Sequence, residues 1–190
     1  MADFEEDVKL AAASVRNGGV ILYPTDTIWG LGCDPFNEEA VEQVFAVKER
    51  PKQKSLIILL ADTRDILQYV AAPHPDIIDI VQSFEVPTTV IYDNALGFPD
   101  NVVAADGSIG IRVTTDPFCK SLIKRMGIPL VSTSANISGG PSPAHFGLID
   151  EKVVNGVDYV VRHRQGDTAP VQPSRIVKIN DDGSLEIIRA

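Results

Sequence analysis

At 190 residues, with 44% hydrophobic and 23% charged side chains, the chain is long enough for one domain with a sizeable core. Its formal net charge of −9 makes any general electrostatic attraction for nucleic acid weak, so RNA binding needs a local basic patch. No apolar run reaches the roughly 18 residues that cross a bilayer, and the acidic start Met1-Ala2-Asp3-Phe4-Glu5-Glu6-Asp7 lacks the basic-then-apolar layout of a secretion signal, so a cytoplasmic protein with no membrane association is expected.

In chain order, Phe4, Val8, Ala11, Ala12 and Val15 recur at helical spacing over residues 3–17, and Gly18-Gly19 stops that helix. Val20 to Tyr23 is a short apolar strand running into the loop Pro24-Thr25-Asp26-Thr27-Ile28-Trp29-Gly30-Leu31-Gly32. Asn37 caps a second helix that carries Val41, Val44, Phe45 and Lys48 and ends near Arg50-Pro51. Leu56 to Leu60 reads as a buried strand. Helical segments follow at 63–69 and 75–84, then a β-branched strand at 88–92 and a loop over 93–107. Ser108 to Val113 is the next strand. Asp116-Pro117 opens a helix whose apolar stripe is Phe118, Cys119, Leu122, Ile123 and Met126 and which Gly127 ends. Ile128 to Val131 is a strand, residues 146–154 are helical, 157–161 form a strand and 162–173 a loop. A hairpin closes the chain, 175–179 and 185–188, around Asp181-Asp182-Gly183-Ser184. Alternating strands and helices with a terminal hairpin predict an α/β fold on a mixed sheet, in a single domain over 1–190.

Candidate chemistry gathers in three places. Ser132-Thr133-Ser134-Ala135-Asn136-Ile137-Ser138-Gly139-Gly140-Pro141-Ser142 offers many donors and a backbone that a ligand can approach, which suits a phosphate or carboxylate; an ordinary Gly/Pro/Ser turn has the same composition. Lys48, Arg50, Lys52 and Lys54 crowd one segment of an otherwise acidic protein, as a phosphate clamp or as a solvated helix end. The loop after Tyr23 is the third. Ligands on such folds sit at strand ends. Cys33 and Cys119 are far apart and outside any C-x-x-C pair, which argues against a disulfide framework or a thiolate zinc site.

Together these segments resemble the YrdC-like family, the L-threonylcarbamoyladenylate synthases. The matching stretches are Gly19 to Gly32, Lys48-Glu-Arg-Pro51, Ser108-Ile-Gly-Ile-Arg-Val113, Pro129 to Gly139 with its Ser-Ala-Asn core and, more weakly, Pro173-Ser174 and Glu186 to Arg189. The resemblance implies a YrdC-like (RibB-like) fold, a twisted mixed sheet flanked by helices around a concave basic cleft, in the short single-domain form. It implies that L-threonine, bicarbonate or CO2, and ATP become threonylcarbamoyl-AMP and pyrophosphate, the first step of the N6-threonylcarbamoyladenosine (t6A) modification of tRNA, with Mg²⁺ accompanying ATP. A downstream threonylcarbamoyl transferase complex is the implied partner.

By the same resemblance Lys48, Arg50, Ser134 and Asn136 are the catalytic group. Thr27, Arg112, Ser132 and Ser174 face L-threonine, while Arg50, Lys54, Ser108, Ser134, Ser142 and Arg189 face ATP. No residue is assigned to a private metal site. The three scattered histidines and the absence of a Ser–His arrangement fit a reaction in which the substrates react with one another, a positioning and electrostatic task. The sequence departs from the family in three places. No histidine ends the strand Ile58-Leu59-Leu60, Val86-Pro87-Thr88-Thr89 replaces Gly-Pro-x-Thr, and Ser174-Arg175-Ile176-Val177-Lys178 replaces Ser-Thr-Val-Val-Asp. Two other readings stand beside this one: a double-stranded RNA or ribosome-binding module, which the basic segment favours, and a paralogue making a different carbamoyl-adenylate.

Overall fold

Helix α1 (Glu5–Arg16) begins the computed structural model, which describes residues 4–50 and 56–190; its Val8, Ala11, Ala12 and Val15 are buried, as the helical spacing predicts. It packs against α5 (Pro117–Met126). Local signals set the ends of α5. The Asp116 carboxylate accepts from the Cys119 backbone N–H at 2.9 Å, Pro117 occupies the first turn, and Gly127 closes the helix in the left-handed region at φ 74°. In the same way, Asn37 caps α2 (Glu38–Val47) through the Ala40 N–H at 3.1 Å.

The strands are β1 (Ile21–Tyr23), β2 (Gly30–Gly32), β3 (Ile57–Leu60), β4 (Thr88–Tyr92), β5 (Ile109–Val113), β6 (Leu130–Ser134), β7 (Tyr159–Val160), β8 (Arg175–Ile179) and β9 (Leu185–Arg189). They join in one mixed sheet ordered β7-β1-β2-β6-β3-β5-β4-β8-β9. The pairs β1–β7, β3–β5 and β4–β8 are parallel and the rest antiparallel. The α/β architecture on a mixed sheet therefore holds. Val20 to Tyr23, Leu31, Ile58 to Leu60, Leu130 and Val131 form the centre of the core against the helices. Among the described residues no helix is long and apolar enough to cross a membrane.

Four expectations need correction. Gly30-Leu31-Gly32, read as loop, is a strand between β1 and β6. A Cβ on Gly32 would lie 2.7 Å from the Tyr23 ring and 2.8 Å from the Val131 carbonyl, so glycine is what lets the backbones close up, and its turn-like look misled. Residues Ser132 to Ser134, read as loop, continue β6. The helix expected over 146–154 breaks into a 3-10 turn (Phe146–Leu148) and α6 (Glu151–Asn155), because Ile149 is extended and Asp150 caps the second piece. The helix expected at 75–84 shrinks to α4 (Ile77–Gln82), whereas the helical segment expected at 63–69 is present over its full length, as a 3-10 turn (Thr63–Asp65) continued by α3 (Ile66–Tyr69). Both cysteines are free and fully buried. Burial pushes the Cys33 and Cys119 thiols well above their usual range, which removes them as nucleophiles.

Candidate functional site

The loop from β1 to β2 is folded by its own hydroxyls. Thr25 Oγ1 accepts from the Thr27 N–H at 2.9 Å and donates to the Ile28 carbonyl at 2.8 Å, a local turn of the kind threonine favours. This presents Thr27 to Arg112 of β5, whose guanidinium donates to Thr27 Oγ1 at 2.9 Å. Arg112 is 4% exposed, so its charge needs a partner, and Asp26 supplies one at 3.3 Å. The other Asp26 oxygen accepts from Thr114 Oγ1 (3.1 Å) and the Thr115 N–H (3.3 Å). Arg112 is thus held at its back, while its buried Nε–H has no protein acceptor.

Arg50 is aimed by the end of α2. The Arg50 N–H bonds to the Phe45 carbonyl at 3.0 Å and the Glu49 N–H to the Ala46 carbonyl at 3.1 Å, a Schellman closure. Glu49, at φ 48°, takes the left-handed position that glycine normally fills. The turn sends Arg50 towards β6, where its guanidinium donates to Thr133 Oγ1 at 3.2 Å. Lys48 goes elsewhere. It is 2% exposed, and its ammonium donates to the Ser134 carbonyl and, at 2.8 Å, to the Asn136 carbonyl. The Lys48 carbonyl in turn accepts from the Ser138 N–H at 2.7 Å. Burial, with Arg50 nearby, pushes the Lys48 ammonium down to about 8. Asn136 staples the same bend, its amide donating to the carbonyls of Ile137 (2.9 Å) and Gly140 (2.8 Å).

From the other side come Ser174 and Arg189. Ser174 Oγ lies 2.9 Å from Thr89 Oγ1 of β4, and Arg189 donates to the Ser174 carbonyl at 2.6 Å. Burial and repulsion from Arg112 both lower the Arg189 guanidinium, so the arginines share a field that a bound anion would relieve. The segment 161–174 reaches this side from β7, at the opposite edge of the sheet. Arg164 pins it, donating to Asp116 Oδ2 at 2.7 Å and to the Thr25 carbonyl at 3.2 Å.

These elements enclose a cleft of about 260 Å³ lined by Thr27, Arg50, Arg112, Ser132, Ser134, Ser142, Ser174 and Arg189 among others. Eight of the residues singled out from sequence therefore meet in one place. Ser132 and Ser134 share a strand face, and Ser142 is an exposed rim residue. Lys48, Asn136 and Ser108 do not line it. The first two are committed to backbone carbonyls, and Ser108 lies at the far end of β5 from Arg112, where its N–H bonds to Asp106. Lys54 lies outside the described residues. Sequence reasoning passed over Thr25, Asp26, Thr89, Thr133 and Arg164. Asp26 alone carried a signal, an acid in the Pro-Thr-Asp-Thr loop; the others act by tertiary contact. Among the described residues no carboxylate, imidazole or thiol lines the cleft, and no group of acidic, histidine or cysteine side chains could hold a metal ion.

A mixed α/β fold with three arginines and a ring of hydroxyls in one cleft offers a site suited to anionic ligands. A family model described as "Telomere recombination" (Sua5_yciO_yrdC) matches residues 13–190, and the chain belongs to this Sua5/YciO/YrdC family. Several relatives bear the name threonylcarbamoyl-AMP synthase, two of which show the extent of the likeness. The one from Halorhodospira halophila is 39% identical over 169 residues, 88% of each chain, and that from Marinobacter nauticus is 34% identical over 173 residues, 90% of each. Among solved structures, P. abyssi Sua5 complexed with L-threonine superposes with a TM-score of 0.80 at 23% identity, covering 92% of this chain. This chain spans 51% of that one.

Proposed function

We propose that this protein is a threonylcarbamoyl-AMP synthase, forming threonylcarbamoyl-AMP from L-threonine, bicarbonate or CO2, and ATP with release of pyrophosphate. The observation that carries this reading is the convergence of Arg50, Arg112 and Arg189 with hydroxyl side chains in a cleft lined, among the described residues, by no carboxylate, imidazole or thiol that could activate them. Such a site suits substrates that react with each other. The threonine amine attacks CO2, forming the C–N bond and losing a proton to solvent. A carbamate oxygen then attacks the α-phosphorus, and the α–β P–O bond breaks with its electron pair leaving on pyrophosphate.

The protein's part is to hold and neutralise. Arg112, braced by Asp26, takes the threonine carboxylate, a planar match for its guanidinium, with Thr27 and Ser132 beside it. Arg50, Ser134, Ser142 and Arg189 take the phosphates and stabilise charge as the P–O bond breaks, with Lys54 a further phosphate contact by family resemblance. Ser174 positions the threonine side from across the cleft. Lys48 and Asn136 serve by bracing the bend that presents Ser134. Among the described residues no carboxylate lines the cleft, so Mg²⁺ would accompany the triphosphate of ATP and neutralise part of its charge. On this reading the protein works in the cytoplasm, upstream of a transferase that moves the threonylcarbamoyl group onto tRNA.

The test is pyrophosphate release with threonine and bicarbonate each left out in turn. Release that requires both is expected. Release independent of threonine would overturn the assignment in favour of a different carbamoyl-adenylate, and no release with salt-sensitive RNA binding would favour the RNA-binding module.

A further inference from the structure

Thr25 does not line the cleft, yet its hydroxyl decides what Thr27 presents there. Both residues are almost fully buried, at 5% and 6% exposure. A threonine hydroxyl has one proton and two acceptor lone pairs, so the hydrogen bonds can be counted. The Thr25 proton goes to the Ile28 carbonyl at 2.8 Å, and one lone pair accepts the Thr27 N–H at 2.9 Å. The 3.0 Å contact between Thr25 Oγ1 and Thr27 Oγ1 must then run from Thr27 to Thr25, on the remaining lone pair. The opposite direction would give up the bond to Ile28 and leave a buried carbonyl without its donor. Thr25 is thereby saturated. The Thr27 hydroxyl has its proton turned away from the cleft and one lone pair engaged by Arg112 at 2.9 Å. What is left is a single lone pair.

We infer that Thr25 is a positioning residue that fixes the Thr27 hydroxyl as a hydrogen-bond acceptor, so that the site selects a substrate bearing an N–H donor beside the carboxylate held by Arg112. The inference rests on the functional reading above and deepens it, because it supplies a reason why an α-amino acid is taken in preference to a deaminated hydroxy acid. In the bound complex the amine donates to Thr27, which leaves the nitrogen lone pair free to face the carbon it must attack. Without Thr25 the Thr27 proton is released to turn inward, where it competes for that same nitrogen lone pair.

The chain's single tryptophan, Trp29, lines the cleft and gives the readout. Its fluorescence is titrated with L-threonine, and ATP binding is measured by calorimetry, in the wild type, Thr25→Val and Thr25→Ser. Thr25→Val is expected to weaken L-threonine binding roughly 10- to 100-fold and to leave ATP affinity unchanged, while Thr25→Ser, which keeps the hydroxyl, stays within about threefold. Wild-type affinity for threonine in Thr25→Val overturns the inference, as does equal damage in Thr25→Ser or an equal loss of ATP binding. Should Thr25→Val not fold, the wild type is titrated with 3-hydroxybutanoate, which lacks the amine. Binding weaker than that of L-threonine by about tenfold or more is expected, and equal binding overturns the assignment. A wild type that does not bind L-threonine at all refutes the functional reading itself, a result distinct from every outcome above.

Discussion

Replacing Lys48 by methionine keeps the volume of a side chain that is 2% exposed and removes only its charge and its hydrogen bonds. Two effects then oppose each other. The carbonyls of Ser134 and Asn136 lose their donor, at about 1–3 kcal/mol each. Against this, the variant no longer buries an ammonium that burial and Arg50 have pushed down to about 8. The sign of the pH dependence follows. As pH rises from about 8 towards the ordinary lysine value, the native state gives up its proton before the unfolded chain does. The unfolded state then binds more protons, and native stability rises by up to ~1.4 kcal/mol per pH unit. Below pH 8 both states are protonated, and the penalty of the buried charge is present in full. The variant has no such window. Urea unfolding of both proteins at pH 7, 8.5 and 10 should therefore show a small stability gap at pH 7 that widens by about 2.5 kcal/mol at pH 10. Pyrophosphate release at pH 7 should fall about 100-fold, because the bend carrying Ser134 is no longer held. Parallel pH profiles for the two proteins would refute a buried, hydrogen-bonded ammonium. Unchanged turnover would refute its role in setting the bend.

Arg50→Ala removes a cleft-lining charge and no core volume, so pyrophosphate formation should drop about 10²- to 10³-fold while the thermal midpoint stays near that of the wild type, which differential scanning fluorimetry checks. Glu49→Gly relieves the left-handed backbone at φ 48° and should stabilise the fold by about 0.5–1 kcal/mol in urea, the exposed ion pair to Lys152 being worth little. Gly32→Ala drives a methyl into the Tyr23 ring at 2.7 Å and the Val131 carbonyl at 2.8 Å, and should cost about 1–3 kcal/mol or more of unfolding free energy with the cleft residues untouched.

Where the sequence is legible, the determinant is local. Asp116-Pro117 and Gly127 place α5 because a cap, a fixed φ and a left-handed residue act within one turn of the chain. The residues facing the cleft are legible through their resemblance to the family and through side-chain chemistry, since arginines and hydroxyls announce an anion site wherever they sit. What is illegible is decided by neighbours far along the chain. Gly30-Leu31-Gly32 has the composition of a turn and becomes a strand by pairing with β1 and β6, an approach so close to Tyr23 and Val131 that only glycine fits at position 32. Lys48 illustrates the same limit within the site. Two residues from Arg50 and of the same charge, it looks like the second half of a phosphate clamp. The Schellman turn at Glu49 separates the two, sending one cation into the cleft and the other onto the backbone of the facing loop. A single left-handed residue thus divides one basic cluster into a cleft-lining guanidinium and a buried brace, and that division exists only once the end of α2 meets β6.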